Sequence, residues 1–133
     1  MMFRFRKIFI LTVLVSLPCY SGEGLSEGEV VDKLISDTNK KYESYFSISK
    51  DDVIIGRRDV DGNGSEDLLI FYDGRCGISR GCEMDIYLCL SASSCEVKRY
   101  CYAGTLYEGQ VKNKGATLNC ENPQKNEEED LSS

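Results

Sequence analysis

The chain has 133 residues, 41% of them hydrophobic and 29% charged, which suits one globular domain and excludes both a wholly disordered chain and a multi-span membrane protein. Histidine is absent, and with it go the Ser-His-Asp triad, the Cys-His dyad, a histidine general base and every zinc site that needs imidazole. A formal net charge of −6 repels phosphate backbones and anionic lipid, so nucleic-acid binding is not expected, and a cation or a basic protein is the electrostatically favoured companion.

Arg4, Arg6 and Lys7 precede an apolar run over residues 8–17, which Pro18 and the Ser21-Gly22-Glu23-Gly24 stretch end early. Spanning hydrocarbon takes about 20 apolar residues, so the segment predicts a signal peptide over residues 1–21, with the mature chain starting near Gly22 and carrying no membrane span. A lipid anchor on Cys19 is disfavoured, because Pro18 stands where a lipobox has a small residue. Removing residues 1–21 takes away three cations and no acid, which carries the net charge from −6 to −9. The expected setting is periplasmic or secreted.

Residues 22–121 are expected to form one α+β domain. Ser26 and Glu29 fit an S-x-x-E capping box, and Val30, Val31, Leu34, Ile35, Tyr42, Tyr45 and Phe46 recur at helical spacing, which predicts an amphipathic helix over 27–46. From Asp52 on, short apolar or alternating runs bounded by turn residues predict strands at 53–58, 68–72, 84–90, 96–102, 106–112 and 116–120, with Asn113-Lys114-Gly115 as the last hairpin turn. No interval between them holds a crossover helix. The expected architecture is therefore an antiparallel β-meander with the N-terminal helix packed on it, stapled by disulfides. Residues 122–133 hold one apolar residue and four consecutive acids, and predict a disordered tail.

Seven cysteines are present, and either loss of the signal or acylation takes Cys19 out of the pool. The remaining Cys76, Cys82, Cys89, Cys95, Cys101 and Cys120 contain no Cys-x-x-Cys knuckle, and in an exported chain they read as three disulfides whose pairing sequence alone leaves open. Sequential bridges are preferred: Cys76 to Cys82, Cys89 to Cys95 and Cys101 to Cys120. Placing Cys89 opposite Cys95 in a hairpin also sets Asp85 opposite Arg99, a favourable cross-strand pair.

Asp59-Val60-Asp61-Gly62-Asn63-Gly64-Ser65-Glu66-Asp67 places oxygen donors at alternate positions, with glycines where the chain must turn. Calcium takes six to eight oxygens, and Asp59, Asp61, Asp67, the Asn63 amide and a backbone carbonyl near Ser65 could supply most of them. The competing reading is a turn-rich hairpin loop neutralised by Arg57 and Arg58. The loop is no EF-hand: its twelfth position is Ile70, and predicted strands flank it.

The strand, D-x-D-G-N-G-x-x-D, strand arrangement resembles the calcium loops of FG-GAP and VCBS-type repeats. Those repeats build propellers, whereas the motif occurs once here, so only the local loop carries over. Together with the Gly/Cys-rich stretch from Asp73 to Cys82, it is similar to small exported bacterial proteins with one such loop, over residues 41–102. That resemblance implies compartment and fold rather than an activity.

Arg75 and Arg80, on a glycine-rich loop closed by Cys76 and Cys82, are candidate partner contacts. Tyr100, Tyr102 and Tyr107 are candidates for an interaction surface or for sheet packing. Acids such as Glu83, Asp85 and Glu96 are plentiful, but nothing in the sequence sets two of them across a pocket, so catalysis is not expected. The function expected is a non-catalytic binder of the bacterial envelope that inhibits or neutralises another exported protein, its partner basic and its Asp loop holding calcium. The alternatives are a calcium-stabilised structural module and, behind it, a small carboxylate-based hydrolase.

Overall fold

The computed structural model describes residues 23–91 and 95–125. The expected signal peptide with Cys19, and the acidic run from residue 126 on, lie outside them. The described chain comprises helix α1 (Glu27–Lys41), strands β1 (Val53–Arg58), β2 (Asp67–Tyr72), β3 (Cys76–Gly77), β4 (Gly81–Cys89) and β5 (Tyr100–Tyr107), and helix α2 (Glu108–Lys114), with short 3-10 turns at Lys50–Asp52, Asp73–Arg75 and Gly115–Thr117.

Helix α1 opens on a reciprocal cap: the Glu29 N–H donates to Ser26 Oγ at 3.2 Å and the Ser26 N–H to Glu29 Oε1 at 3.3 Å. It stops at Lys41 rather than reaching Phe46. The Asn39 amide holds both backbone groups of Ile48, donating to its carbonyl at 3.0 Å and accepting its N–H at 2.7 Å. That clamp reverses the chain and leaves Tyr45 exposed, so the helical spacing of the last two aromatics has no buried face to serve.

The sheet is antiparallel throughout. β1 pairs with β2, β2 with β4 and β4 with β5, while β3 extends the β2 edge along the start of β4, with Cys76 opposite Cys82. Both faces carry a core cluster. On one, Leu68, Ile70, Tyr72, Tyr87, Cys89 and Tyr100 meet Val30 and Leu34 of α1. On the other, Leu69, Met84, Ile86, Leu88, Ala103 and Leu106 meet Val111 of α2 and Leu118. Burial on both faces explains why DLLIFY is a continuous apolar run rather than an alternating one.

Three expectations for the C-terminal half are corrected. β5 begins at Tyr100, not residue 96, because the ladder closes where the Leu90 N–H meets the Arg99 carbonyl at 2.8 Å, and Ser91 Oγ takes the Arg99 N–H at 2.7 Å. The strands expected at 106–112 and 116–120 do not form. Gln110 Oε1 accepts the Tyr107 N–H at 3.0 Å, the chain turns into α2, and the expected Asn113-Lys114-Gly115 turn is the end of that helix. Gly115 lies so close to the loop before β2 that a Cβ would sit 2.2 Å from the Val60 carbonyl oxygen, which only glycine avoids. The expected tail also starts too early, since Gln124 donates to the Ala103 carbonyl at 3.0 Å and accepts from Thr105 N–H at 2.8 Å, pairing with the β5 edge.

Disulfides join Cys76 to Cys82 and Cys101 to Cys120. The expected Cys89–Cys95 bridge is absent. Cys89 stands opposite Tyr100 and is a buried free thiol, and Cys95 is engaged in a disulfide elsewhere. The register that would have joined them fails with it: Asp85 lies opposite Thr105 and ion-pairs with Arg75, while Arg99 reaches Glu29 of α1. Disulfides of this kind mark an oxidising, non-cytoplasmic compartment. Among the described residues, no helix is long and apolar enough to cross a membrane.

Candidate functional site

The Asp loop connects β1 to β2, and its conformation is written by its own side chains. Asp59 accepts the Gly62 N–H at 2.9 Å on Oδ1 and the Gly64 N–H at 2.8 Å on Oδ2. Both glycines have positive φ, 79° and 90°, so the backbone can turn its amides inward without a Cβ penalty. Asp61 accepts the Asn63 N–H at 3.3 Å, and Asn63 Oδ1 accepts the Ser65 N–H at 2.9 Å. Carboxylate oxygens of Asp59, Asp61 and Asp67 converge within 4.8 Å of one another.

The three acids differ in setting. Asp59 is exposed, and the N–H groups of Gly64 and Gly62 hold its carboxyl below the usual carboxylate range. Asp67 is fully buried, and burial pushes its carboxyl up against the opposing pull of the Cys89 and Val60 N–H groups. Those groups donate to Asp67 Oδ1 at 2.8 Å and Oδ2 at 2.9 Å, so this residue ties the loop to the end of β4. Among the described residues, no lysine or arginine forms an ion pair with the three acids. Arg57, one of the two arginines expected to neutralise them, instead grips Glu27 of α1 through two hydrogen bonds, one of them 2.6 Å.

Chemically, the loop offers carboxylate, amide and carbonyl oxygens on a short backbone frame, the donor set that hard divalent cations take. Asn63 and Ser65 sit in the same turn, and each Asn63 or Asp oxygen retains a lone pair beyond the bonds given above.

At the opposite end of β2 the sheet holds a second polar group, a cleft of about 600 Å³ beside α1. Arg75 is not displayed on the loop. Its side chain is 21% exposed, its Nη1 lies 2.9 Å from Asp85 Oδ1, and its guanidinium stacks 5.6 Å from the centre of the Tyr72 ring. Arg80 remains on the surface, 5.7 Å from the centre of the Tyr107 ring. Thr105 Oγ1 also donates to Asp85 Oδ1, at 2.8 Å, and Tyr102 hydrogen-bonds to Thr105 Oγ1. Tyr102 and Tyr107 thus line the cleft, whereas Tyr100 is buried in the core beneath α1.

Glu83, Asp85 and Asp37 line one cavity, an arrangement the sequence reading lacked. The signal was the alternation in GCEMDIYLC: Glu83, Asp85 and Tyr87 share one face of β4, while Met84, Ile86 and Leu88 supply the core on the other.

Compared with known proteins, the chain matches no family model, no curated protein and no solved structure.

Proposed function

We propose that the chain is an exported, non-catalytic binding module, periplasmic or secreted in a bacterial setting, whose Asp59–Asp67 loop holds a calcium ion. The observation that carries the metal reading is the convergence of Asp59, Asp61 and Asp67 within 4.8 Å, with Arg57 diverted to Glu27. Asn63 and the Ser65 carbonyl complete the donor set, with water filling the shell. Like charges this close repel one another, and a divalent cation removes that cost. Binding rather than turnover fits the absence of histidine and the state of Asp85, whose Oδ1 is already held by Arg75 and Thr105. The −9 charge left after residues 1–21 steers the module toward a basic exported partner.

The test is thermal unfolding in millimolar calcium and in chelator. A ligand that binds only the folded state stabilises it by about 2.7 kcal/mol at roughly 100 times its Kd, so calcium should raise the Tm by several degrees. Asp59→Ala and Asp61→Ala should each abolish the shift. Identical melting in both conditions leaves a turn-only loop and rejects the metal.

A second reading, a calcium-stabilised structural module without a partner, draws on the Asp67 link between the loop and β4. Pull-down from an envelope extract separates the two: capture that weakens with salt supports the binder, and no capture at low or high salt supports the structural module.

A further inference from the structure

We infer that the cleft beside α1 is a binding site for a neutral, hydroxyl-rich ligand, an oligosaccharide, an interaction beyond the basic partner proposed above and one that stands whether or not the Asp loop takes calcium. Helix α1 covers only part of its face of the sheet. Toward the end of β2 the exposed remainder is polar and aromatic rather than apolar: Glu83, Asp85, Thr105 and Tyr107 alternate with the core residues Met84, Ile86 and Leu106. A volume of about 600 Å³ lies within the range of roughly 300–1,000 Å³ typical of small-molecule sites. Five of the eight tyrosines line it: Tyr42, Tyr72, Tyr87, Tyr102 and Tyr107.

The hydrogen-bond inventory selects the ligand class. Thr105 spends its one hydroxyl proton on Asp85 Oδ1, so Tyr102 must be the donor to Thr105 Oγ1, which leaves the Tyr102 oxygen as an acceptor. Among the described residues, Asp85 Oδ2 takes no hydrogen bond, although its side chain is only 15% exposed. Arg75 gives one of its five N–H groups to Asp85, and among the described residues no other hydrogen bond of its guanidinium is seen. Donor and acceptor therefore stand side by side on the two partners of one ion pair, Nη1 to Oδ1 being 2.9 Å. Across the cleft, Lys33 and Asp37 on α1 are paired in the same way at 2.8 Å.

An anion would satisfy Arg75 but meet the Asp85 charge, and an ammonium group would do the reverse. A pair of neighbouring hydroxyls donates to one and accepts from the other without leaving a charge unpaired. Tyr72 and Tyr87 are buried and Arg80 lies against the Tyr107 ring, so the partly exposed rings of Tyr42, Tyr102 and Tyr107 present the negative quadrupole to which the C–H face of a sugar ring is complementary. A peptide adding as a strand would need a free sheet edge, whereas this cleft lies on a sheet face.

The experiment is titration of the isotope-labelled chain, observed through its amide resonances, with cellotriose, maltotriose and chitotriose, and separately with inorganic phosphate. The expected result is saturable shifts at millimolar sugar that map to β4 and β5 around Asp85, Thr105 and Tyr107, the same with calcium or chelator. Tyr107→Ala should weaken binding by about tenfold, the upper range for one aromatic contact. If that variant does not fold, the shift map of the unaltered chain decides alone. No saturable shift with any of the three sugars, shifts confined to other surfaces, or saturation by phosphate alone at these amides each overturns the proposal. A missing calcium response with sugar binding intact rejects the metal reading alone.

Discussion

The two polar groups of this protein are assembled by opposite means. Loop 59–67 gathers acids that are close in sequence, surrounds them with backbone N–H groups and leaves their charge uncompensated by any described side chain. The cleft gathers residues from α1, the turn after β2, β4 and β5, and pairs Lys33 with Asp37 and Arg75 with Asp85. A local cluster of like charge invites an ion, while a non-local network of matched pairs invites a ligand that can both donate and accept. Asp67 and Asp85 show the contrast in two residues. Each is an aspartate on a central strand, but Asp67 answers to backbone amides and Asp85 to an arginine and a threonine.

The largest effect should come from Asp67. Removing its carboxylate leaves the Val60 and Cys89 N–H groups without their acceptor, and each orphaned buried donor costs about 1–3 kcal/mol. Asp67→Ala should therefore lower stability by roughly 2–5 kcal/mol in chelator as well as in calcium. Asp59→Ala should cost little in chelator, because the amides it holds lie in an exposed loop and can bond water. Denaturant unfolding of both variants, with and without calcium, measures this. Equal losses in chelator would mean that Asp67 is a loop residue like Asp59 rather than the link between loop and sheet.

The same contrast explains what was legible in the sequence. The Asp loop could be read because acids, amide and glycines lie within nine positions and their spacing is itself the structure. β1, β2 and the centre of β4 were legible from apolar patterning, since β2 and β4 bury side chains in the core and β1 packs Val53 and Ile55 partly buried against it. The cleft was not, because its members come from four distant segments and no local pattern says that Arg75 meets Asp85. α2 was missed for a different reason. It is seven residues long and buries only Val111, too short for a 3.6-residue period to compete with the apparent alternation of Leu106 to Lys112. The expected Cys89–Cys95 bridge fails for a related reason: it rests on sequential order and on one cross-strand pair, Asp85 with Arg99, whereas the pairing of Cys89 with Tyr100 is set by the whole β4–β5 interface.

A middle-sized effect is expected in the cleft. Arg75→Met leaves Asp85 half-buried with Thr105 as its remaining described partner and should cost about 1–3 kcal/mol. The double variant Arg75→Met with Asp85→Leu should recover most of that loss, because removing both charges leaves nothing unpaired. A double-mutant cycle by urea unfolding reads the coupling. Additive losses would show that the two side chains do not act as a pair, and the matched-charge account of the cleft would fail with them.

The smallest effect concerns Arg57, the cation that separates the two designs by turning away from the loop. Its bidentate contact with Glu27 joins β1 to the first turn of α1, where a carboxylate is also favoured by the helix dipole. The side chains are 44% and 35% exposed, so solvent screening limits the pair to about 0.2–1 kcal/mol. Arg57 holds the Glu27 carboxyl below its usual 4.5. A carboxyl lowered in the fold adds stability above its unfolded pKa and loses it as pH falls through the lowered value. Glu27→Gln should therefore be slightly less stable than the parent at neutral pH, and the gap should close in acid and in high salt. Freed from Glu27, Arg57 can swing back toward Asp59, so the variant should also bind calcium more weakly by a small factor. An unchanged calcium midpoint together with an unchanged Tm would show that Arg57 does not govern the charge of the loop, and that the acids stay uncompensated for reasons of distance alone.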